Sequence, residues 1–285
     1  MPRAIPSHPA AADDFWSRQT VVDARSGRSV RVLYRADEPA WPQRLGEQAA
    51  GTWAQLELFH RGRGTEVYRG RLESNGPLYY VKRFTPRSVG DHWKYLLRGP
   101  RSLRAWARAR QAEALGFRAV RPVCVLTEPR GRSAPTDVLI TREEEAAIPL
   151  RDRLQQPGPR AARRRLLAAL GREVARWHAA RLLHPDLNLG NLLVADDPDG
   201  PRFVWLDVEG NRRLPIGVPL NRRAKNLADL NYEPRGLTRT DRWRVWCAYR
   251  AAAGLGSQTS ARLVRAILQI TRARWRKRGW LPPGD

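Results

Sequence analysis

The sequence predicts an α+β fold of two lobes, the first rich in antiparallel β-strand and the second mainly helical. Three observations predict it. Strand-like stretches joined by glycine-bearing turns fill residues 53 to 84; helical periodicity takes over from Pro159; and a polar loop fenced by leucines, "LLHPDLNLGNLLV" at 182–194, leads into a strand hairpin. The boundary is expected between 143 and 150, which gives a first lobe over 1–145, with an extension over 1–50, and a second over 146–285.

The elements follow in order. "TVVDARSGRSVRVLYR" reads as a hairpin around Ser26 and Gly27. "WAQLELF" alternates, "TEVYRGRL" follows a glycine turn, and "SNGP" turns the chain into "LYYVKRF". Residues 101 to 115 read as a helix with Leu103, Trp106 and Leu115 near one face, ended by Gly116, and "TDVLIT" at 136–141 as a further strand. A connector with a short helix, "REEEAAIPLRDRLQQPGP", precedes a long helix begun at Pro159, whose Leu166, Leu167, Leu170, Val174 and Trp177 keep helical spacing. "NLLVADDPDGPRFVWLDV" is a strand, a Pro-Asp-Gly turn and a strand, and the chain from about 218 reads as three helices.

Composition narrows the setting. Cys124 and Cys247 stand far apart in no metal-ligand spacing, which fits a reducing, cytoplasmic compartment rather than a disulfide framework. The N-terminus lacks the apolar core of a signal peptide, and no window is apolar for long enough to span a bilayer. The formal net charge of +24 is carried almost wholly by arginine, a usage that composition bias and an anionic partner each explain. With no nucleic-acid reading motif beside it, charge alone does not make a nucleic-acid binder. Lysine occurs at only four positions, 82, 94, 225 and 277, so Lys82 draws notice.

The loop carries the chemistry. His184, Asp186 and Asn191 stand in the order H-x-D-x-x-x-x-N, and Asp207 follows the hairpin in "WLDVEG". This is the phosphoryl-transfer arrangement, in which one carboxylate accepts the proton of an incoming hydroxyl while an asparagine and a second carboxylate hold magnesium against nucleotide phosphates. Magnesium prefers hard oxygen ligands and keeps several waters, so two protein oxygens suffice beside the phosphates. The leucines on both sides anchor the polar loop to the core. A turn in which the same side chains only satisfy backbone groups is the plainer reading of the loop taken alone.

A nucleotide site also needs a phosphate-approaching turn and a strand lysine. "HRGRGTEVYRG" offers Gly62 and Gly64, then Val67, and Lys82 follows in "YYVKRF". An ordinary hairpin turn accounts for the glycines equally well. The helix that should brace Lys82 offers only Glu113, near its C-terminal end, with Trp106 closer to where such an acid is expected. Glu209 reads either as a second metal ligand or as a surface acid answering Arg212 and Arg213, and His178 reads as a packing residue.

Taken together, "HPDLNLGNLLV", "WLDVEG", "YYVKRF" and the segment "LPIGVPLNRRAKNLADLN" resemble the lipopolysaccharide kinases, distant relatives of protein kinases, over about 53 to 250. The resemblance implies a bilobal protein-kinase-like fold and ATP-dependent phosphorylation of a sugar hydroxyl, heptose or Kdo, of the lipopolysaccharide inner core or a similar anionic glycolipid. It makes Asp186 the base, Asn191 and Asp207 the magnesium ligands, Lys82 the phosphate contact and His184 a structural brace. No Ala-Pro-Glu segment follows Asp207, which argues against a peptide acceptor.

For a polyanionic acceptor, Arg212, Arg213, Arg222 and Arg223 are the candidate contacts. Trp275 and Trp280, set among basic residues, fit either peripheral contact with an anionic membrane surface or packing of a basic helix end on the core. Two other readings keep the fold: a small-molecule phosphotransferase of the aminoglycoside type, disfavoured by the basic segment after Asp207, and a pseudokinase acting as a binding module.

Overall fold

The computed structural model describes residues 16–22, 29–35, 37, 56–62, 64–71, 75–86, 88–127, 137–233 and 236–280. The expected turn at Ser26 and Gly27, and most of the 1–50 extension, lie outside them. Two compact units divide the chain, Met1–Glu145 and Ala146–Asp285.

In the first unit, β1 (Trp16–Val22), β2 (Ser29–Arg35), β3 (Glu57–Gly62), β4 (Thr65–Arg71), β5 (Leu78–Phe84), β7 (Pro122–Thr127) and β8 (Asp137–Arg142) form one antiparallel sheet, while β6 is the two-residue Arg118–Ala119. The strand order is β1-β2-β7-β8-β5-β4-β3. Strand β7 was not expected from the pattern, for a physical reason: it lies inside the sheet and every one of its residues is buried, so it shows no period-two alternation. Strand β3 has the opposite character, an edge strand exposed along nearly its whole length.

Two helices, α1 (Val89–Arg98) and α2 (Arg101–Ala114), follow β5. Helix α1, which sequence periodicity did not reveal, starts at Ser88, whose side chain accepts from the Asp91 N–H. Helix α2 has a proline at its N-cap and so no capping side chain of its own; the buried Asp137 carboxylate accepts from Arg101 N at 2.7 Å and Ser102 N at 3.0 Å instead. Its buried face is Ser102, Ala105, Ala109 and Ala112, with Leu103 and Trp106 only partly covered, so small residues rather than the expected large ones set how closely it lies on the sheet.

The second unit opens with β9 (Ile148–Pro149) and α3 (Leu150–Gln155), then α4 (Arg160–Ala179) and β10 (Leu182–Leu183). The hairpin β11 (Leu192–Asp197) and β12 (Gly200–Trp205) follows, then β13 (Arg212–Arg213), α5 (Leu220–Asn231), α6 (Arg239–Ala252) and α7 (Ser257–Lys277). Helix α4 buries Leu166, Leu167, Leu170, Val174 and Trp177, the periodic set. It approaches α6 at Gly171, where a Cβ would stand 2.3 Å from the Val245 carbonyl oxygen, so no larger residue fits without moving a helix. Trp177 and Trp205, both fully buried, stack at 3.8 Å and join α4 to the hairpin; full burial of such side chains stabilises by roughly 3 kcal/mol each.

Candidate active site

In the second unit the hairpin register brings the expected residues together. Leu192 pairs with Trp205, and the Leu206 N–H donates to the Asn191 carbonyl oxygen at 2.9 Å, so Asp207 comes one residue past the partner of Asn191. Asp207 is exposed and left-handed, at φ 53° and ψ 36°. An L-residue held there costs on the order of 1 kcal/mol, which the flanking pairing must supply; such conformations concentrate at functional positions.

His184 braces both acids. Its ring is buried, its Nδ1 accepts the Asp186 N–H at 3.2 Å, and its Nε2 donates to the Leu206 carbonyl oxygen at 3.0 Å. Burial pushes the imidazole below its ordinary pKa against the opposing pull of that hydrogen bond and of Asp207 and Asp186. The ring is therefore neutral, and its two bonds fix the Nε2–H tautomer. One side chain thus fastens the residue before Asp207 to the backbone of Asp186.

The asparagines orient the Asp186 carboxylate. Asn188 Nδ2 donates to Asp186 Oδ2 at 3.1 Å and Asn191 Nδ2 to the same oxygen at 3.3 Å and to the Asp186 carbonyl oxygen at 2.8 Å. With its amide nitrogen committed to Asp186, Asn191 keeps its Oδ1 as an acceptor. An amide oxygen of this kind and the exposed Asp207 carboxylate are hard donors of the type that would suit magnesium. Gly210 closes the arrangement from the other side: a Cβ there would lie 2.6 Å from Pro185 Cγ, so the segment after Asp207 lies directly on the loop before Asp186.

Beneath the loop runs a chain of hydrogen bonds that sequence reasoning missed. Asn226 Nδ2 on α5 donates to the His184 carbonyl oxygen at 2.6 Å, and Asn226 Oδ1 faces His178 Nε2 at 3.3 Å. His178 Nδ1 meets the Tyr249 hydroxyl at 2.9 Å. Burial lowers the His178 pKa to about 4 and raises that of Tyr249 to about 12, so both groups are neutral members of the network. Lys225 Nζ donates to the Pro185 carbonyl oxygen at 2.9 Å and pairs with Asp229 at 2.9 Å. A signal for Lys225 existed, since it is among the four lysines of an arginine-rich chain. His178, read as packing, is 1 % exposed and packs as a hydrogen-bonded group.

The candidate acceptor arginines separate. Arg212 and Arg213 are exposed on β13, paired with Leu183 and Leu182 just before His184, and Arg222 is exposed at the start of α5. Arg223 turns inward, its Nε donating to the Val218 carbonyl oxygen at 2.9 Å beside Tyr249. Glu209 is half-buried in the short turn after Asp207.

In the first unit, Gly62 pairs with Thr65 at the tip of the β3–β4 hairpin and Gly64 has φ 72°, the positive value that a two-residue turn of this kind needs. Val67 pairs across with Lys82, and Lys82 pairs on its other side with Leu139, so the lysine sits on an interior strand with its ammonium 5.4 Å from the Phe84 ring centroid. Glu113 is exposed on α2, with Arg35, Arg110, Arg121 and Glu144 as its charged neighbours. Trp106 packs edge-on against Trp16 at 5.4 Å, with Arg110 over its ring.

The model of the lipopolysaccharide kinase (Kdo/WaaP) family matches residues 48–249, most of the chain and all of this loop and hairpin. The chain belongs to that family. A solved structure described as WaaP in complex with acyl carrier protein superposes with a TM-score of 0.58 at 22% identity, covering 81% of this chain and 96% of that one, which establishes the kinase-like α+β fold. No curated protein matches the sequence. As a lipopolysaccharide kinase the protein is a phosphotransferase that uses ATP and acts on a sugar hydroxyl of lipopolysaccharide. Among the described residues no helix is long and apolar enough to cross a membrane.

Proposed function

We propose that this kinase phosphorylates a hydroxyl of an inner-core sugar, a heptose or Kdo residue, of lipopolysaccharide or a closely related anionic glycolipid, with magnesium and ATP. The observation that carries the proposal is the pair of hydrogen bonds made by His184, accepting from the Asp186 N–H and donating to the Leu206 carbonyl, which ties the base-bearing loop to the residue that precedes Asp207.

In this reading Asp186 accepts the proton of the acceptor hydroxyl as its oxygen forms a bond to the γ-phosphorus and the bond from that phosphorus to the ADP oxygen breaks. Asn188 and Asn191, both on Oδ2, leave Oδ1 to face the hydroxyl. Asn191 Oδ1 and Asp207 would hold magnesium, which when bound neutralises phosphate charge. Lys82, with the backbone of Gly62, Gly64 and Val67, would bind the phosphates, and Glu113 remains the candidate helix acid of the first unit. Positioning and charge compensation supply the rate.

Arg212, Arg213 and Arg222, all exposed, suit the phosphates and carboxylates of an inner core, with Arg223 shaping the segment that carries them. A lipid-anchored acceptor also calls for peripheral work at the cytoplasmic face of a membrane.

The test is the Asp186→Ala variant assayed on lipopolysaccharide core acceptors, with ATP binding followed separately. Transfer should vanish while ATP binding persists; normal transfer would end the mechanism. A lysine-reactive acyl-phosphate derivative of ATP should label Lys82, with free ATP protecting it. Labelling elsewhere would remove Lys82 from the nucleotide site.

A further inference from the structure

Helix α7 has an unusual sidedness. From Gly256 to Trp280 the chain contains no aspartate or glutamate, and Arg262, Arg265, Arg272 and Arg276 are all exposed. At 100° per residue these four fall within about 80° of one another, and they span roughly 21 Å along the axis. The opposite face is the packed one: Ser260, Leu263, Ile267 and Thr271 are buried, and Asn231 of α5 donates to Thr271 Oγ1 at 3.0 Å.

The aromatic residues at the end of α7 belong to the packed side as well. Trp275 Nε1 donates to the Tyr232 carbonyl oxygen at 2.8 Å and its ring lies under Arg242, while Trp280 stacks on Tyr232 at 5.1 Å. Arg274, between them, pairs with Asp229 and covers Tyr232. The arginine that has an acidic partner therefore faces inward. None of the four outward arginines has one among the described residues.

We infer that the outward stripe of α7, Arg262, Arg265, Arg272 and Arg276, is a flat electrostatic docking surface for an anionic bilayer, which it binds through lipid headgroups without inserting side chains. The occupant follows from charge complementarity and shape. Four cations in line on a rigid helix, with no acidic partner among the described residues and with only Leu268 and, at the far end, Trp280 as large exposed apolar side chains, match a planar array of phosphates better than an apolar interface. An inserting helix would instead point its tryptophans away from the protein, whereas here Trp275 is bonded to the Tyr232 carbonyl and Trp280, though part-exposed, stacks on the Tyr232 ring. The inference deepens the proposed function, because a kinase of lipopolysaccharide meets its acceptor in a bilayer.

The experiment uses the full chain and two vesicle preparations, phosphatidylcholine alone and phosphatidylcholine mixed equally with phosphatidylglycerol. Binding is expected to the anionic vesicles only and should fall steeply with salt. Each arginine contributes about a fivefold factor at such a surface, so replacing all four by glutamine should weaken binding by two orders of magnitude or more, while the far-ultraviolet spectrum and melting stay unchanged because glutamine keeps the helix. Trp280→Ala should change binding little.

Equal binding to both vesicles, a loss in Trp280→Ala as large as that of the fourfold variant, or full binding by the fourfold variant would each overturn the inference. So would a short DNA duplex that binds the stripe as tightly as anionic vesicles at the same salt. Assays on an acceptor freed of its acyl chains separate this surface from the catalytic reading. The fourfold variant should match the parent on that soluble acceptor and lose activity on the bilayer-embedded one. No transfer to either acceptor by the parent protein would defeat the functional proposal, while the vesicle result would still decide the surface.

Discussion

Asn226 donates its amide hydrogen to the carbonyl oxygen of His184 at 2.6 Å, two residues before Asp186, from a side chain that is 1 % exposed. Removing the donor strands a buried carbonyl, a loss of about 1–3 kcal/mol. Asn226→Leu should therefore lower stability in urea by that amount and reduce kcat more than the KM for ATP, because the loop loses its support from α5. Unchanged kcat in a folded Asn226→Leu protein would show that the loop holds its geometry without α5.

Lys225 supports the neighbouring carbonyl, that of Pro185, and is balanced by Asp229. Lys225→Met should leave the carbonyl without this donor and Asp229 with Arg274 but no Lys225, and cut turnover several-fold; Lys225→Arg should restore only part of it, since a planar guanidinium does not reproduce a point ammonium donor. Steady-state kinetics of the two variants side by side checks the order parent, arginine, methionine.

Gly210 and Pro185 offer a cycle. Gly210→Ala forces a methyl to 2.6 Å from Pro185 Cγ, so activity and stability should both fall. Pro185→Ala deletes that Cγ, and the double variant should recover much of the loss, with a coupling above about 0.5 kcal/mol. Additive effects in the cycle would mean the two residues do not press on each other in solution.

A pH window follows from His178. Its folded pKa of about 4 lies below the ordinary 6.5, so the unfolded chain binds the extra proton first. Stability from this group is complete above pH 6.5 and declines as pH falls towards 4, by about 3 kcal/mol in all. Denaturant unfolding between those pH values should show the slope, to which buried His184 adds in the same direction, and His178→Leu should reduce it. A parent protein with no slope there would mean that His178 titrates normally.

Much of this was legible in one dimension, and the reason differs from element to element. The loop from His184 to Asn191 and the hairpin to Asp207 could be read because their chemistry is local: a carboxylate, an amide and a second carboxylate at fixed spacing, bounded by leucines that had to be buried. The long helix α4 was legible through its period. Strand β7 was not, since a strand buried on both faces has no alternation; helix α2 was legible as a helix over 101–115, but its packed face was not, because that face is built of alanine and serine.

The sequence by itself determined the kinds of group available: which carboxylates, amides and cations exist, and the order in which the chain presents them. Only the tertiary structure decided which of them are fixed and which face water. It held His184 between Asp186 and Leu206, turned Arg223 inward while Arg212, Arg213 and Arg222 stayed exposed, placed Lys225 and Asn226 under the loop, and laid Trp275 and Trp280 on Tyr232. The physical reason is that residue type and spacing are properties of neighbours in the chain. A hydrogen bond between positions some forty residues apart exists only after packing has brought donor and acceptor together and removed the competing water.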